Sequence, residues 1–212
     1  MVQVAELWRY PVKSMAGEPL REALLTPEGI EGDRLLHVVK GGRVITSRAH
    51  PRLLGHKAAL GPGGEPLVDG MPWDSPPVAA AVERAAGSGA RLVRATIRRF
   101  DVLPLLVATD GAILALAEDG RRLRPNVVVG GVEGLQEREW EGRRLRAGGA
   151  VIALRDLRQR CVMITFHPDT LEQDPGVLER IVGDFGGSMA LNAEVLTQAL
   201  VRVGDPVSLL AD

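Results

Sequence analysis

The chain has 212 residues, enough to bury a substantial core, and its 26 basic and 27 acidic residues leave a net charge of -1. That balance gives no global field for nucleic acid or membrane surfaces, and 3% aromatic residues are too few for base-stacking platforms. One cysteine excludes an internal disulfide and an iron–sulfur cluster held by this chain's own thiolates.

No apolar run reaches the roughly 18 residues of a spanning helix, and Met1-Val2-Gln3-Val4-Ala5-Glu6 has no signal-peptide pattern. The expectation is a cytoplasmic protein away from membranes. The 25 glycines and 14 prolines predict many turns and many short strands.

In chain order, alternation predicts a strand over Val2–Tyr10, halted by Pro11. Lys13-Ser14 follows, a cation and a hydroxyl just past a strand end. Such a pair can hold an anion, and a loop lysine can equally be merely solvated. After Leu20–Thr26 and the turn Pro27-Glu28-Gly29 comes Gly32-Asp33-Arg34. The runs Leu35–Lys40 and Arg43–Ser47 then flank Gly41-Gly42, a hairpin signal because both turn positions tolerate positive φ.

Gly55 to Asp74 reads as irregular strands and turns. Ser75 is placed to cap a helix that Pro76-Pro77 begins and Gly87 stops. A boundary near Gly87-Ser88-Gly89 divides the chain into 1–88 and 89–212. Strands are expected over Arg91–Ile97 and Leu105–Ala108, then a helix Asp110–Glu118 capped by Thr109 and ended by Gly120. Arg124-Pro125-Asn126 precedes the apolar strand Val127–Gly130, holding a guanidinium and an amide at a strand edge. Trp140–Arg143 reads as a turn. Strands at Arg143–Arg146, Ala150–Arg155 and Arg160–Phe166 follow, then a helix from Asp174-Pro175 through Val182, and a last strand Val207–Leu210.

The four histidines, His37, His50, His56 and His167, have no metal-binding spacing, and no nucleophile-elbow, dinucleotide or P-loop pattern occurs. Cys161 taken alone reads as a small buried hydrophobe.

Several motifs change that reading together. Leu7-Trp8-Arg9-Tyr10-Pro11-Val12-Lys13-Ser14, Asp33-Arg34, and Thr46-Ser47-Arg48 with Pro51 resemble the N-terminal domain of MOSC-domain proteins. Arg124-Pro125-Asn126, Arg160-Cys161 with Thr165 and Pro168-Asp169-Thr170, and Val203-Gly204-Asp205-Pro206-Val207 resemble the MOSC domain itself. Their order and spacing agree over nearly the whole chain.

The resemblance implies a mainly β fold with a few short helices (α+β), in which an N-terminal β-barrel-like domain (1–88) packs on a MOSC β-barrel (89–212). It implies a molybdenum cofactor (molybdopterin) protein similar to the mitochondrial amidoxime-reducing component and its bacterial relatives. Cys161 would be metal ligand and catalytic centre, while Lys13, Ser14, Arg34, Arg124 and Asn126 would hold the phosphate and pterin. The implied reaction is reduction of a small N-hydroxylated molecule by oxygen-atom removal, with electrons from a separate donor protein. The alternative is a sulfur or cofactor carrier that uses Cys161 as a persulfide or thiolate without turnover. Pyridoxal phosphate is not expected.

Relatives often carry serine or cysteine two residues before the metal-binding cysteine, where this chain has Gln159. If residues 158–164 form a strand, Gln159, Cys161 and Met163 share one face, and Arg158 and Arg160 lie on the other. On that reading Lys13, Arg34 and Arg124 supply the positive field at the thiol, and the site lies between the two halves.

Overall fold

The computed structural model describes residues 1–98 and 100–211. Strands dominate, and the described residues contain three short α-helices, α1 (Pro76–Ala86), α2 (Asp110–Leu116) and α3 (Pro175–Phe185). The mainly β reading therefore holds.

The largest sheet has eight strands in the order Val207–Leu209, Arg144–Ala147, Ala150–Gln159, Ser188–Thr197, Leu105–Thr109, Val127–Gly130, Gln3–Arg9 and Glu18–Leu20. Neighbours are antiparallel except Leu105–Thr109 and Val127–Gly130, which run parallel. A parallel pair needs a crossover, and α2 followed by the 3₁₀ turn Gly120–Leu123 supplies it. The sheet is not a closed ladder, yet it curls until Gln3 bridges Pro206 and the Val4 N–H donates to the Asp205 carbonyl at 2.9 Å.

Strand periodicity explains the layers. Leu105 and Val107 point into a core shared with Val4, Leu7, Ile152 and Leu191. Leu106 and Ala108, on the opposite face, pack against Leu116 of α2, Val177 and Ile181 of α3, and Ile164. A strand covered on both faces reads as an unbroken apolar run, as Leu105–Ala108 does. A third core under α1 and the Gly41-Gly42 hairpin gathers Val12, Met15, Leu36, Val38, Val78 and Val82.

Several expected boundaries shift for identifiable reasons. Thr109 caps α2 as expected, its hydroxyl oxygen accepting the Ala112 N–H at 3.2 Å. The helix nevertheless ends at Leu116, because Ala117 turns left-handed at φ 57° and returns its N–H to the Ile113 and Leu114 carbonyls. Gly120 follows as the first residue of the 3₁₀ turn, where a Cβ would meet the far end of the Ile113 side chain at 2.8 Å. Ser75 occupies the N-cap of α1 without making the cap hydrogen bond, and its hydroxyl is buried without a partner. The strand expected over Arg91–Ile97 ends at Arg94, where its pairing with Leu36 ends.

The largest correction concerns Arg160–Phe166, which is not a strand. Ala150–Gln159 ends before it, and Val162–Thr165 is a 3₁₀ turn closed by Ile164 N–H to Cys161 O at 3.1 Å and Thr165 Oγ1 to Val162 O at 2.7 Å.

Ile152 is fully buried in the first core. Ile152→Ala is expected to destabilise the fold by about 2–5 kcal/mol in urea titration, whereas Leu114→Ala, at an 81% exposed position on α2, stays within about 0.5 kcal/mol.

Candidate functional site around Cys161

The site is assembled from strand ends. Where Gln3–Arg9 stops, Tyr10 enters the interior with its N–H on Asp33 Oδ1 at 2.6 Å and its hydroxyl donating to the Pro125 carbonyl at 3.1 Å. Burial pushes the Tyr10 phenol up to about 12, with Arg124 and Arg34 pulling the other way. Both guanidiniums lie over its ring, Arg34 Cζ at 4.7 Å and Arg124 Cζ at 4.4 Å from the centroid. Cation–π attraction thereby holds two like charges near each other.

Asp33, fully buried, also receives Arg34 Nη1 at 2.5 Å and Asn126 Nδ2 at 3.3 Å. The other amide hydrogen of Asn126 reaches the Trp8 carbonyl at 3.2 Å, and its Oδ1 accepts the Leu106 N–H at 3.2 Å. Both amide hydrogens are engaged, so Asn126 acts here as a clamp between three strands. Arg124 Nη2 donates to the Met15 carbonyl at 2.7 Å, which ties the Lys13-Ser14-Met15 turn to the same cluster.

A narrow, open-sided cleft lies against this cluster. Arg34, Arg124, Asn126 and Cys161 all line it. Lys13 is joined to the cleft through Asp101, a wall residue, with Nζ 2.5 Å from Oδ1. Ser14 sits one residue further on, buried, at φ 73°.

Ser14, Arg34 and Arg124 all hold left-handed backbone, at φ 73°, 51° and 57°. In non-glycine residues such conformations cost on the order of 1–3 kcal/mol each and collect at functional sites.

Arg48, Arg122, Arg158, Arg160 and Asp101 also line the cleft, and residue pattern did not single them out as site residues. Arg122 is paired with Glu118 at 3.1 Å. Arg158 sends Nε to Asn192 Oδ1 at 2.5 Å and has Nη1 4.0 Å from Asp101. Arg160 donates to the Leu123 carbonyl at 2.8 Å, and its Nε is buried without a partner. Burial, and then Arg158, bring the Arg160 guanidinium down to about 10, with Cys161 and Asp101 opposing.

These positions overturn the two-faced strand. Arg158 and Arg160 meet the same cleft as Cys161, because register shifts between Leu154, Leu157 and Gln159 and then the 3₁₀ turn break the alternation. The field at the thiol thus includes the arginines beside it in sequence.

The signal for Asp101 in the sequence was slight: it stands in a segment without periodicity between two strands. Burial would raise its pKa, but Lys13, then Arg158 and Arg34, outweigh that and hold it below the usual carboxylate range.

A half-buried thiol on a β scaffold lines this cleft with six guanidiniums and one carboxylate, side chains whose chemistry can take an anionic group beside a soft ligand. Residues 1–95 match the MOSC N-terminal beta barrel domain and residues 110–208 match the MOSC domain, and the chain belongs to this family.

Among relatives, mitochondrial amidoxime reducing component 2 from Macaca fascicularis is 26% identical, over 84% of this chain and 69% of that protein. Its Homo sapiens counterpart is 24% identical over the same shares. The YuaD protein from Bacillus subtilis shares the fold, with a TM-score of 0.54 and 15% identity over 99% of this chain and 96% of its own.

Because the folded-state pKa of Asp101 is depressed, the stability it contributes is present above its unfolded value of about 4 and is lost as pH falls through the folded value. Asp101→Asn should therefore flatten the acid limb of a stability–pH profile, and thermal melts from pH 7 down to pH 3 check it.

Proposed function

We propose that this protein holds a molybdenum cofactor in the Arg34–Arg124–Cys161 cleft and reduces small N-hydroxylated compounds. The observation that carries the reading is the convergence of a lone thiol and an excess of guanidiniums, one with a buried unpartnered Nε, in one cleft of a MOSC-family chain. The kinship with amidoxime reducing components supports the reaction class.

The residues fit such a group. Among the described residues no cluster of three or more His, Cys, Asp or Glu could hold an ion, so a metal at Cys161 would bring its remaining ligands with it. A thiolate is a soft donor suited to a sulfur-ligated metal, and Lys13, Ser14, Arg34 and Arg124 offer the cations and donor that a phosphate needs. Asn126 contributes by holding Asp33 and, through it, Arg34.

When bound, the cofactor supplies two-electron oxygen-atom transfer chemistry. The chain's own residues do the rest. Arg34 and Arg124, both held over the Tyr10 ring, keep their charges in place before any ligand arrives, so little reorganisation accompanies binding. Converting an N-hydroxyl to an amine and water consumes two electrons and two protons. Lys13, whose pKa burial lowers, holds a proton at Nζ against Asp101 Oδ1 at the cleft wall. The electrons come from a separate donor protein, since one cysteine cannot hold a cluster.

Protein from a cofactor-competent host should contain near-stoichiometric molybdenum by elemental analysis, and Cys161→Ser should lose it. The loaded protein should reduce an N-hydroxylated base with a chemical electron donor. Molybdenum without turnover would support the carrier reading instead, and no molybdenum in the wild type would count against both.

A further inference from the structure

Cys161 borders a second cleft, which meets the first along Arg158–Cys161. Four guanidiniums, those of Arg48, Arg138, Arg158 and Arg160, line it against the carboxylates of Glu141 and Asp156.

Each carboxylate already accepts a hydrogen bond at the cleft. Glu141 Oε1 accepts the Leu157 N–H at 2.6 Å, and Asp156 Oδ2 accepts Asn192 Nδ2 at 3.1 Å. The arginines bond mainly to neutral groups: Arg138 to the Phe185 and Ser188 carbonyls, Arg158 to Asn192, and Arg160 to the Leu123 carbonyl.

The buried Nε of Arg160 has no partner, and a buried donor left unpaired is costly. Arg48 is exposed and sits where Ser47, fully buried, donates its hydroxyl to Met163 Sδ at 3.3 Å. That contact fixes the tip of the N-terminal segment beside the Cys161 turn. Arg48, Arg158 and Arg160 share this cleft, where Arg158 Nη1 stands 4.0 Å from Asp101. An incoming anion adds a charged partner for these guanidiniums without displacing a side chain.

We propose that substrate reaches Cys161 through this second cleft, and that Arg48, Arg158 and Arg160 make it an anion subsite selecting substrates with a carboxylate or phosphate beside the reacting group. The inference rests on Cys161 as the reaction centre, and it adds a substrate class: acidic N-hydroxylated compounds over neutral ones. Arg48, Arg158 and Arg160 line both clefts, so the preference of the loaded protein is what separates a substrate anion from a cofactor phosphate.

Alkylation of the full-length, cofactor-free protein tests the subsite without turnover. The same thiolate attacks iodoacetate and iodoacetamide, forming a C–S bond as iodide leaves, and the two reagents differ by a carboxylate, so the ratio of their rates reports the local field. At low ionic strength Arg48→Ala and Arg160→Met should each lower the iodoacetate-to-iodoacetamide ratio about three-fold, the effect of one charge some 6 Å away in water. Added sulfate should bring the wild-type ratio down toward the variants.

A ratio unchanged in both variants overturns the proposal, and if Arg160→Met does not fold, the exposed Arg48→Ala decides. In the loaded protein, the preference in kcat/KM for a carboxylate-bearing N-hydroxylated base over its neutral analogue should fall in Arg48→Ala. A ratio that responds in alkylation while neither compound is reduced keeps the anion subsite and removes the reductase reading. Reduction of both compounds without preference, together with an unresponsive alkylation ratio, removes the subsite alone.

Discussion

The carboxylate of Asp33 is the point on which the site depends. It is fully buried and accepts from the Tyr10 backbone, the Arg34 guanidinium and the Asn126 amide. Those three donors come from the end of the first strand, the start of the Gly41-Gly42 hairpin segment and the entry to Val127–Gly130. One carboxylate therefore sets the relative position of three chain segments distant in sequence. A buried carboxylate is tolerable only when its oxygens are satisfied and a cation lies close, and Asp33 has both.

From that node the electrostatics follow. Tyr10, anchored on Asp33, presents its ring to Arg34 and to Arg124. Arg34 is also ion-paired with Asp33, whereas Arg124 is held by the ring and the Met15 carbonyl. Left-handed backbone at Ser14, Arg34 and Arg124 is the conformational cost of aiming these groups, offset by the strong cores on either side. An arrangement that keeps strain and repulsion beside one another stabilises the fold poorly and receives an anion well.

Much of this was legible in the chain. Gly41-Gly42 gives the hairpin because both residues adopt positive φ, 56° and 74°. Thr109 and Asp174 cap helices because a short side-chain oxygen follows extended backbone, and each accepts the expected N–H. Arg34, Arg124, Asn126 and Cys161 meet in one cleft. What pattern could not reveal was conformation decided by tertiary packing. Val-Met-Ile-Thr-Phe over 162–166 has the composition of a strand, and a short apolar run is equally able to form a buried turn. Ile164 decides the matter by inserting into the core beneath α2 and α3, which alternation along a strand would not require. Asp101 lay in a patternless segment, and its importance arises only from the three cations that the fold brings around it.

The turn at Cys161 has a consequence that a strand would have denied. On a strand, the side chains of residues 158, 160 and 161 cannot all meet one space, because successive residues point to opposite faces. With the ladder broken by register shifts and ended at Gln159, Arg158, Arg160 and Cys161 border the same cleft and a second one as well. Arg158, at the end of the strand, and Arg160, just before the turn, are thus cations that line the cleft beside their own sequence neighbour Cys161. Because Leu123 O receives Arg160 and Ile164 O receives Arg122, the turn is also fastened to the segment that leads into Arg124. A disturbance at Cys161 and one at Arg124 are therefore mechanically linked through two hydrogen bonds and a four-residue 3₁₀ turn.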